Sequence, residues 1–314
     1  MKKKAIIISI SGLKLSQKEK ILISREKPWG LILFKRNIKS FNQIKKLIID
    51  VKKLTKDKKF PIIIDEEGSS VSRLSNIINH SFDANYFGSL FKIDRNVTLK
   101  LYKNYLNSLC KNFKKIGINI NTIPVLDVLR KNTHKIIGKR SFSKNKKIVK
   151  LLGETTIKQC HLNNIVTVMK HIPGHGCSTV DSHLSLPKVN LKTIELNKKD
   201  FYTFKIPSAK LAMTAHILYS RIDSKNVSTF SKKIINDIIR RKIGFKGIIM
   251  SDDISMKALK HDLVTNAKKS LLAGCNLVLY CAGNIKDNFK LIKSVPYIDQ
   301  FTIKKTTEIY KIIR

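Results

Sequence analysis

The sequence predicts an α/β protein built as a single (β/α)8 barrel of the TIM type over residues 1–314, and three observations support this. Eight short runs rich in β-branched residues recur along the whole 314-residue chain. Most of these runs are continuously apolar, which is typical of parallel strands buried on both faces. Longer segments with helical spacing of apolar residues lie between them, so strands and helices alternate as in such barrels.

The predicted strands follow one another at regular intervals. They cover residues 5–10, 31–34, 61–64, 118–123, 165–169, 211–214, 247–250 and 276–280. Helical spacing is clear at Ile44, Leu47, Ile48, Val51 and Leu54, and again at Ile234, Ile235, Ile238 and Ile239. The alternative is an open doubly wound sheet, but residues 11–14 after the first run lack the second glycine of G-x-G-x-x-G. Residues 287–314 suffice for closing helices and are too short for a second domain.

The composition is that of a globular protein. It is 42% hydrophobic and 27% charged with 13 Gly and 7 Pro, which excludes collagen-like, mucin-like and disordered chains. The 62 Lys and Arg against 22 Asp and Glu give a formal charge of +40, a feature of nucleic-acid-binding proteins. The lysine pairs are scattered, however, and Ile, Asn and Lys share A/T-rich codons. Codon bias is therefore the favoured explanation of the charge, and we expect no nucleic-acid partner. A preference for an acidic surface or substrate is the alternative that stays open.

The five cysteines and the N-terminus indicate the compartment. The cysteine number is odd and no CxxC spacing occurs, so neither a disulfide framework nor a structural zinc site is indicated. Lys2, Lys3 and Lys4 before an apolar run imitate a signal peptide, but the run is short and no small-x-small cleavage site follows. No apolar run approaches the roughly 18 residues needed to span a bilayer. We expect a soluble, cytoplasmic monomer with no membrane partner.

Ionisable residues follow five of the eight predicted strands. They are Asp65, Glu66 and Glu67 after the third, Asp127 after the fourth, Lys170 and His171 after the fifth, His216 after the sixth, and Asp252 and Asp253 after the seventh. Because the chemistry of such barrels takes place at the carboxyl ends of the strands, a site is predicted at this rim. Asp252 is a candidate nucleophile or electrostatic support for a cationic transition state. Asp253 is expected to point elsewhere, as a carboxylate at a helix N-terminus.

The densest polar stretch is KHIPGHG at 170–176, followed by DSH at 181–183. Pro173 and Gly174 disfavour a helix, so a mobile loop is expected here rather than a helical zinc pair. Within it, Asp181 can orient the imidazole of His183 and stabilise its charged form, which suits a general acid and base near neutral pH. Two alternatives stay open: a pair that only caps a turn, and a metal cluster of His171, His175, Asp181 and His183.

Several sequence blocks carry a specific resemblance. They are KHIPGHG with DSH, DEEGSSVSRL at 65–74, IPVLDV at 123–128, GKRSF at 138–142, MTAHI at 213–217 and SDDISMKAL at 251–259. Together they span most of the chain, and they resemble in identity and in order the blocks of the bacterial β-N-acetylhexosaminidases of glycoside hydrolase family 3. The resemblance implies a barrel, a retaining mechanism and removal of terminal β-linked N-acetylglucosamine. In cytoplasmic members it implies action on peptidoglycan fragments, such as GlcNAc-1,6-anhydroMurNAc with or without peptide, during recycling.

The resemblance also assigns roles to residues. It makes Asp252 the nucleophile and His183 the acid/base supported by Asp181. It places the sugar-binding groups at Asp65, Arg73, Arg140, Lys170 and His171. The chain departs from the family pattern at Ser69, where a second glycine is usual, and at Lys139, where an acidic residue often precedes the arginine. Ser69 puts the loop geometry in question, because a positive φ costs more without glycine.

Three classes of function stay open at this point. The first is the glycosidase, which needs no metal or organic cofactor, with a phosphorylase as its variant because a histidine acid/base does not repel incoming phosphate. The second is a metal-dependent barrel hydrolase that uses the histidine cluster. The third is a basic nucleic-acid-binding protein that kept the fold. The complete catalytic set favours the glycosidase.

Overall fold

Parallel strands form a closed barrel in the computed structural model, which describes residues 2–79, 81–181 and 185–313. The strands are β1 (Lys4–Ile8), β2 (Pro28–Leu33), β3 (Ile62–Ile64), β4 (Ile120–Asn121), β5 (Val166–Ile172), β6 (Lys188–Val189), β7 (Leu211–Thr214), β8 (Leu218–Tyr219), β9 (Ile248–Asp253) and β10 (Leu277–Leu279). Eight of them close the barrel in the order β1-β10-β9-β7-β5-β4-β3-β2, and β6 pairs with β8 outside it. The predicted (β/α)8 barrel is confirmed, since each apolar run supplies one barrel strand.

Helices connect the strands. They are α1 (Gln17–Glu26), α2 (Phe41–Thr55), α3 (Ala84–Ile93), α4 (Arg95–Ile116), α5 (Lys146–Leu162), α6 (Thr193–Lys198), α7 (Leu263–Ala273), α8 (Ile285–Ser294) and α9 (Gln300–Ile312). The apolar stripe predicted around Ile44 is the buried face of α2. The segment Ile234–Lys242 is helical as predicted but forms a π-helix. In the described ranges, no helix combines the length and apolar character needed to cross a bilayer.

Both faces of the barrel strands are buried, which explains their continuously apolar sequences. Successive side chains of a strand point to opposite sides. In β1, Ile7 lies in the barrel interior with Trp29 and Met213, whereas Ile6 and Ile8 belong to the cluster packed against the outer helices. The interior is therefore a packed core and not a channel.

The amino end of the barrel is covered by the C-terminal helix. Trp29 donates from Nε1 to Thr306 Oγ1 on α9 at 2.9 Å. Lys3 Nζ donates to Asp57 Oδ2 at 2.8 Å and to the Tyr310 hydroxyl at 2.7 Å. This end is thus held by tertiary contacts, and the carboxyl ends of the strands form the opposite face.

Two strands extend beyond their predicted carboxyl ends. β5 runs to Ile172 and β9 runs to Asp253, so Lys170, His171 and Asp252 lie within strands rather than after them. The reason is continued pairing with neighbouring strands: Ile172 pairs with Thr214 of β7, and Asp253 pairs with Leu279 of β10. The backbone that carries these side chains is therefore fixed by the sheet.

Candidate active site

The structure brings most of the predicted site residues to the carboxyl end of the barrel. Asp65 follows β3, Lys170 and His171 lie in β5, Asp252 lies in β9, and Arg73 and Arg140 come from the segments after β3 and β4. In the closed strand order, β3 and β9 are four strands apart in either direction, so Asp65 and Asp252 lie across the barrel mouth from each other. Asp181 lies in the loop after β5, and His183 lies outside the described residues.

A buried network of alternating charges occupies the β3 side of the mouth. Lys170 Nζ lies 3.2 Å from Asp65 Oδ1 and 2.5 Å from Glu67 Oε1, and it donates to Thr122 Oγ1 at 2.9 Å. Arg140 binds the Glu67 carboxylate through two nitrogens, Nε at 2.7 Å and Nη2 at 2.9 Å. The Thr122 hydroxyl donates to Asp65. Each carboxylate is thus tied to at least one cation.

These contacts keep both carboxyls ionised. Burial by itself raises the pKa of Asp65, but Lys170 and Arg73 lower it well below its ordinary value. Burial likewise opposes ionisation of Glu67, but Arg140 and Lys170 lower its pKa to about 2. Burial alone lowers the pKa of Arg140, yet Glu67 raises it above its ordinary value. Near neutral pH the network consists of ionised acceptors and donors, which suits the binding of sugar hydroxyls.

The loop after β3 carries Arg73 and is shaped by its own carboxylates. Glu66 accepts the backbone N–H groups of Arg73 and Leu74 at 2.8 and 2.9 Å. Arg73 Nη2 then lies 3.3 Å from Asp65 Oδ2, and its guanidinium lies 5.2 Å from the centre of the Phe34 ring. The buried carboxylate of Glu66 therefore folds the loop back so that the arginine reaches the rim.

The two departures from the family pattern do not disturb this loop. The positive φ of +152° occurs at Gly68, where a Cβ would come within 2.5 Å of the Phe82 carbonyl oxygen. Ser69 is outside that region of φ, and its hydroxyl donates to Asp83 Oδ2 at 2.7 Å. Lys139 is exposed to solvent.

His171 is oriented by Asp127, which is completely buried. Asp127 Oδ2 lies 2.7 Å from His171 Nδ1, and its Oδ1 accepts the backbone N–H of His175 at 2.5 Å. Because a carboxylate only accepts, His171 Nδ1 carries a hydrogen. Its Nε2 faces Arg140 Nη2 at 3.4 Å. The ring is therefore fixed with one nitrogen toward the charged network.

His175 is unsuited to proton transfer near neutral pH. Burial, together with the neighbouring His171 imidazole, lowers the pKa of His175 to about 4. It is 3% exposed, and its ring centre lies 5.6 Å from that of His171. Among the described residues, no group of three His, Cys, Asp or Glu side chains is placed to hold a metal ion. The alternative cluster also needs His183, which those residues do not include.

Asp252 has a different environment from the carboxylates on the β3 side. Its Oδ1 accepts the backbone N–H of Asp253 at 2.8 Å, and among the described residues no lysine or arginine forms an ion pair with it. Burial raises the pKa of Asp252, but nearby His216 and His171 lower it below its ordinary value. The group is an ionised carboxylate whose Oδ2 has no hydrogen-bond partner among the described residues.

Asp253 points away from Asp252 but does not begin a helix. Its carboxylate accepts the N–H of Ser255 at 3.1 Å, the hydroxyl of Ser255 at 2.7 Å and the N–H of Cys281 at 3.2 Å. The residues after Asp253 form turns, so the prediction that Asp253 lies at a helix N-terminus is wrong. The side chain instead caps a turn and links β9 to the segment after β10.

The loop after β5 is attached at both ends. At its start, Thr133 donates to the Gly176 carbonyl oxygen at 2.5 Å, and the N–H of His134 donates to the Ser178 carbonyl at 2.9 Å. At its end, β6 pairs with β8. Asp181, between these attachments, is partly exposed, and its carbonyl accepts the N–H of Ser185 at 3.0 Å. The predicted Asp181–His183 pair lies partly outside the described residues.

Glu67 and Asp127 were placed at the predicted rim, but the sequence assigned neither of them a role in the site. Glu67 lies two positions after Asp65. Because side chains alternate between the two sides of extended backbone, residues two positions apart point the same way. This spacing was the signal that could have placed Glu67 beside Asp65. Asp127 was visible only as a carboxylate after the fourth strand. Its pairing with a histidine 44 residues away depends on tertiary structure.

Comparison with known proteins gives the family. The model of the glycosyl hydrolase family 3 N-terminal domain matches residues 2–307. A β-hexosaminidase of Actinobacillus succinogenes is 33% identical over 305 residues, which cover 94% of this chain and 87% of that protein.

Solved structures agree with this assignment. NagZ from Neisseria gonorrhoeae, in complex with N-trifluoroacetyl-D-glucosamine, is 28% identical with a TM-score of 0.87, covering 98% of this chain and 90% of that one. A family 3 β-N-acetylglucosaminidase from Paenibacillus sp. has a TM-score of 0.87 at 23% identity over 98% of this chain, a likeness that shows the fold alone. The present chain spans 60% of that longer chain.

Proposed function

Because the chain belongs to glycosyl hydrolase family 3 and is a β-N-acetylhexosaminidase, we propose that it removes terminal β-linked N-acetylglucosamine from peptidoglycan fragments with retention of configuration. The observation that carries this proposal is the arrangement of the mouth: Asp252, ionised and without an ion pair to a lysine or arginine of the described residues, lies across the barrel from the ion-paired network on the β3 side. The related NagZ that contains N-trifluoroacetyl-D-glucosamine supports an N-acylated glucosamine as the sugar.

In the proposed mechanism, Asp252 attacks the anomeric carbon of the bound sugar. The bond between that carbon and the glycosidic oxygen breaks as His183 donates a proton to the departing oxygen. A covalent glycosyl-enzyme forms on Asp252, and His183 then removes a proton from the water that releases the sugar. Two inversions give net retention. Asp181 is proposed to stabilise the charged imidazole.

The contacts of Asp252 suit a nucleophile. An N–H donor at Oδ1 fixes the plane of the carboxylate without neutralising it, whereas a lysine or arginine in contact would hold the electron pairs needed for attack. The lowered pKa keeps the group ionised at neutral pH. The sheet pairing of Asp253 with Leu279 fixes the backbone next to it.

The network on the β3 side is proposed to bind the sugar hydroxyls. Asp65 supplies ionised acceptor oxygens, and Lys170, Arg73 and Arg140 supply donors that are already held in place. His171 presents its Nε2 edge on the same side. Because these groups are fixed before the sugar arrives, little ordering is needed on binding.

We also propose that the enzyme acts as a cytoplasmic monomer on small muropeptide fragments, as the resemblance to recycling members supports. Sedimentation of the purified protein then gives a mass near 35.9 kDa. A dimer mass contradicts the monomer without affecting the proposed chemistry.

The direct test uses a chromogenic β-N-acetylglucosaminide beside the matching β-glucoside, each with and without phosphate. We expect rapid cleavage of the first only, a sugar product with β configuration by NMR, and no need for phosphate. Formation of a sugar 1-phosphate identifies a phosphorylase instead. Activity that disappears on chelation and returns with metal supports the metal-dependent alternative, and cleavage of neither substrate contradicts the whole proposal.

A further inference from the structure

His216 is a buried histidine that the proposed mechanism does not use. It follows β7 within the MTAHI block and is 0% exposed. Its Nε2 lies 3.0 Å from the carbonyl oxygen of Asp253, and its Nδ1 lies 2.7 Å from Thr229 Oγ1. Both ring nitrogens therefore have partners inside the protein.

The partners determine where the ring carries its hydrogen. A carbonyl oxygen only accepts, so His216 Nε2 donates to Asp253. Burial lowers the pKa of His216, which leaves the ring uncharged at neutral pH and Nδ1 as an acceptor from the Thr229 hydroxyl. Thr214 Oγ1 lies 2.8 Å from Thr229 Oγ1 and can donate to it in turn. Thr229 Oγ1 also lies 3.3 Å from the Ala215 carbonyl oxygen, but its 2.7 Å contact with Nδ1 is shorter. The hydrogen bonds thus run from Thr214 through Thr229 and the ring to the Asp253 carbonyl.

The carbonyl that His216 holds belongs to the residue that orients Asp252. The N–H of Asp253 donates to Asp252 Oδ1 at 2.8 Å. The Asp253 carboxylate is fixed separately by Ser255 and Cys281. The Asp253 carbonyl also accepts the N–H of Met256 at 3.1 Å, within the turn that follows β9. His216 supplies the hydrogen bond that ties the Asp253 main chain to the segment after β7.

We propose that His216 is a positioning residue for the nucleophile: its Nε2–H fixes the Asp253 backbone, and this backbone aims the Asp252 carboxylate at the anomeric carbon. The inference rests on Asp252 being the nucleophile, as proposed above. Because both ring nitrogens of His216 bond to protein groups, the proposal gives it no contact with the sugar, and its loss lowers kcat and leaves KM unchanged. The loss of His216 also slows activated and unactivated substrates equally. Loss of a proton donor, in contrast, slows unactivated substrates more than activated ones.

The test is a matched pair of variants. His216→Gln places an amide N–H near the position of Nε2, whereas His216→Asn places its amide near Nδ1 and leaves the Asp253 carbonyl with the Met256 N–H, at 3.1 Å, as its donor. Since a misplacement of about 1 Å can cost roughly 10²-fold in rate, we expect kcat of His216→Asn to fall about 100-fold and that of His216→Gln to stay within about 5-fold of the parent. His161→Asn, at the end of α5 away from the mouth, is the control and leaves kcat unchanged.

Several outcomes overturn the inference. Equal losses in His216→Asn and His216→Gln indicate a packing role, and a raised KM at constant kcat indicates a binding role. If His216→Asn does not fold, Thr229→Val carries the test, because it removes the donor that keeps Nδ1 an acceptor. A several-fold loss of kcat at constant KM is then expected, and parent activity contradicts the proposal.

A prior labelling experiment separates the two proposals. A slowed fluorinated substrate is incubated with the parent enzyme, and the labelled peptide is identified by mass spectrometry. A label on any residue other than Asp252 overturns the nucleophile and this inference with it. A label on Asp252 together with parent-like kinetics of His216→Asn overturns the role of His216 alone.

Discussion

The carboxylates on opposite sides of the barrel mouth differ in their partners. Asp65 and Glu67, on the β3 side, share the Lys170 ammonium at 3.2 and 2.5 Å, and Glu67 also holds Arg140 through two nitrogens. Asp252, on β9, accepts one backbone N–H within the described part of the chain and is not ion-paired there. All three are ionised, but Asp252 alone of them has carboxylate oxygens that no cation among the described residues contacts.

This difference separates binding from bond formation. A carboxylate held by cations is a fixed acceptor, and its electron pairs are engaged in charge-assisted hydrogen bonds. A carboxylate fixed only through the backbone keeps its charge and its nucleophilicity. The comparison therefore predicts that changes at Asp252 stop the chemistry, whereas changes in the charged network weaken binding and folding.

The largest effect is expected for Asp252→Ala. Without the nucleophile no glycosyl-enzyme forms, and we expect kcat to fall at least about 10⁴-fold, as when other covalent catalysts lose their nucleophile. Circular dichroism should show an unchanged fold. Steady-state kinetics with an aryl β-N-acetylglucosaminide measures the loss.

Asp253→Ala is the matched control for the neighbouring carboxylate. It removes the contacts with Ser255 and Cys281 but leaves the Asp253 N–H that orients Asp252. We expect it to keep at least about 100 times the activity of Asp252→Ala. If the two variants are equally inactive, the assignment of a single nucleophile is contradicted.

The next largest effect concerns His183, the proposed proton donor to the departing oxygen. In His183→Ala, a natural disaccharide should be cleaved about 10³-fold more slowly, because its departing oxygen needs a proton. An activated aryl glycoside should still form the glycosyl-enzyme at nearly the parent rate. Hydrolysis of that intermediate then limits turnover, so rapid-mixing kinetics should show a burst.

Azide is the control for His183. A small anionic nucleophile needs no base, so it should partly restore turnover of the aryl substrate in His183→Ala. Asp181→Asn should show a weaker form of the same behaviour. Equal slowing of both substrates, with no burst and no rescue, means that His183 binds or supports the fold and is not the acid/base.

Sequence patterns predicted the barrel and its rim because both follow from local order. Apolar runs predict strands, and a residue at the end of a strand has a known place in a barrel, which is why Lys170 and Asp252 could be located. Partners distant in sequence could not be predicted this way: Arg140 meets Glu67 across 73 residues. The roles of His183 and Asp181 and the single-domain organisation stay predictions.

Replacing Lys170, the cation that Asp65 and Glu67 share, tests the charged network on the β3 side. Lys170→Met leaves Asp65 and Glu67 buried without their common partner, and we expect a loss of about 3–5 kcal/mol in unfolding free energy. Since Lys170 also donates to the sugar in our proposal, kcat/KM should fall roughly 10²-fold. Urea unfolding and steady-state kinetics measure the two effects.

Lys46→Met is the surface control. Lys46 lies 3.3 Å from Asp50 on α2, but the lysine side chain is 73% exposed, and such pairs contribute about 0–1 kcal/mol. We expect no measurable change in either assay. A Lys170→Met protein as stable as Lys46→Met contradicts the view that the network supports the fold.

The smallest predicted effect is a pH dependence of stability that arises from Glu67. Its pKa is about 2 in the folded protein against an ordinary value of 4.5, because Arg140 and Lys170 outweigh the opposing effect of burial. A lowered folded-state pKa means that the unfolded chain binds the proton more tightly. The stabilisation is therefore complete above pH 4.5 and is lost as the pH falls toward 2, and its full size is about 3 kcal/mol.

Glu67→Gln removes the ionisable group at this position. The variant therefore shows how much of the pH dependence of the unfolding free energy arises from Glu67. The variant should be about 3 kcal/mol less stable than the parent at pH 7, and the difference should shrink steadily as the pH is lowered below 4.5. Urea unfolding at several pH values between 3 and 7 measures this difference. Glu154→Gln, whose side chain is 46% exposed on α5, should follow the parent curve throughout. A Glu67→Gln deficit that stays constant with pH would mean that the lost contacts, and not the ionised carboxylate tethered by two cations, account for its stabilising effect.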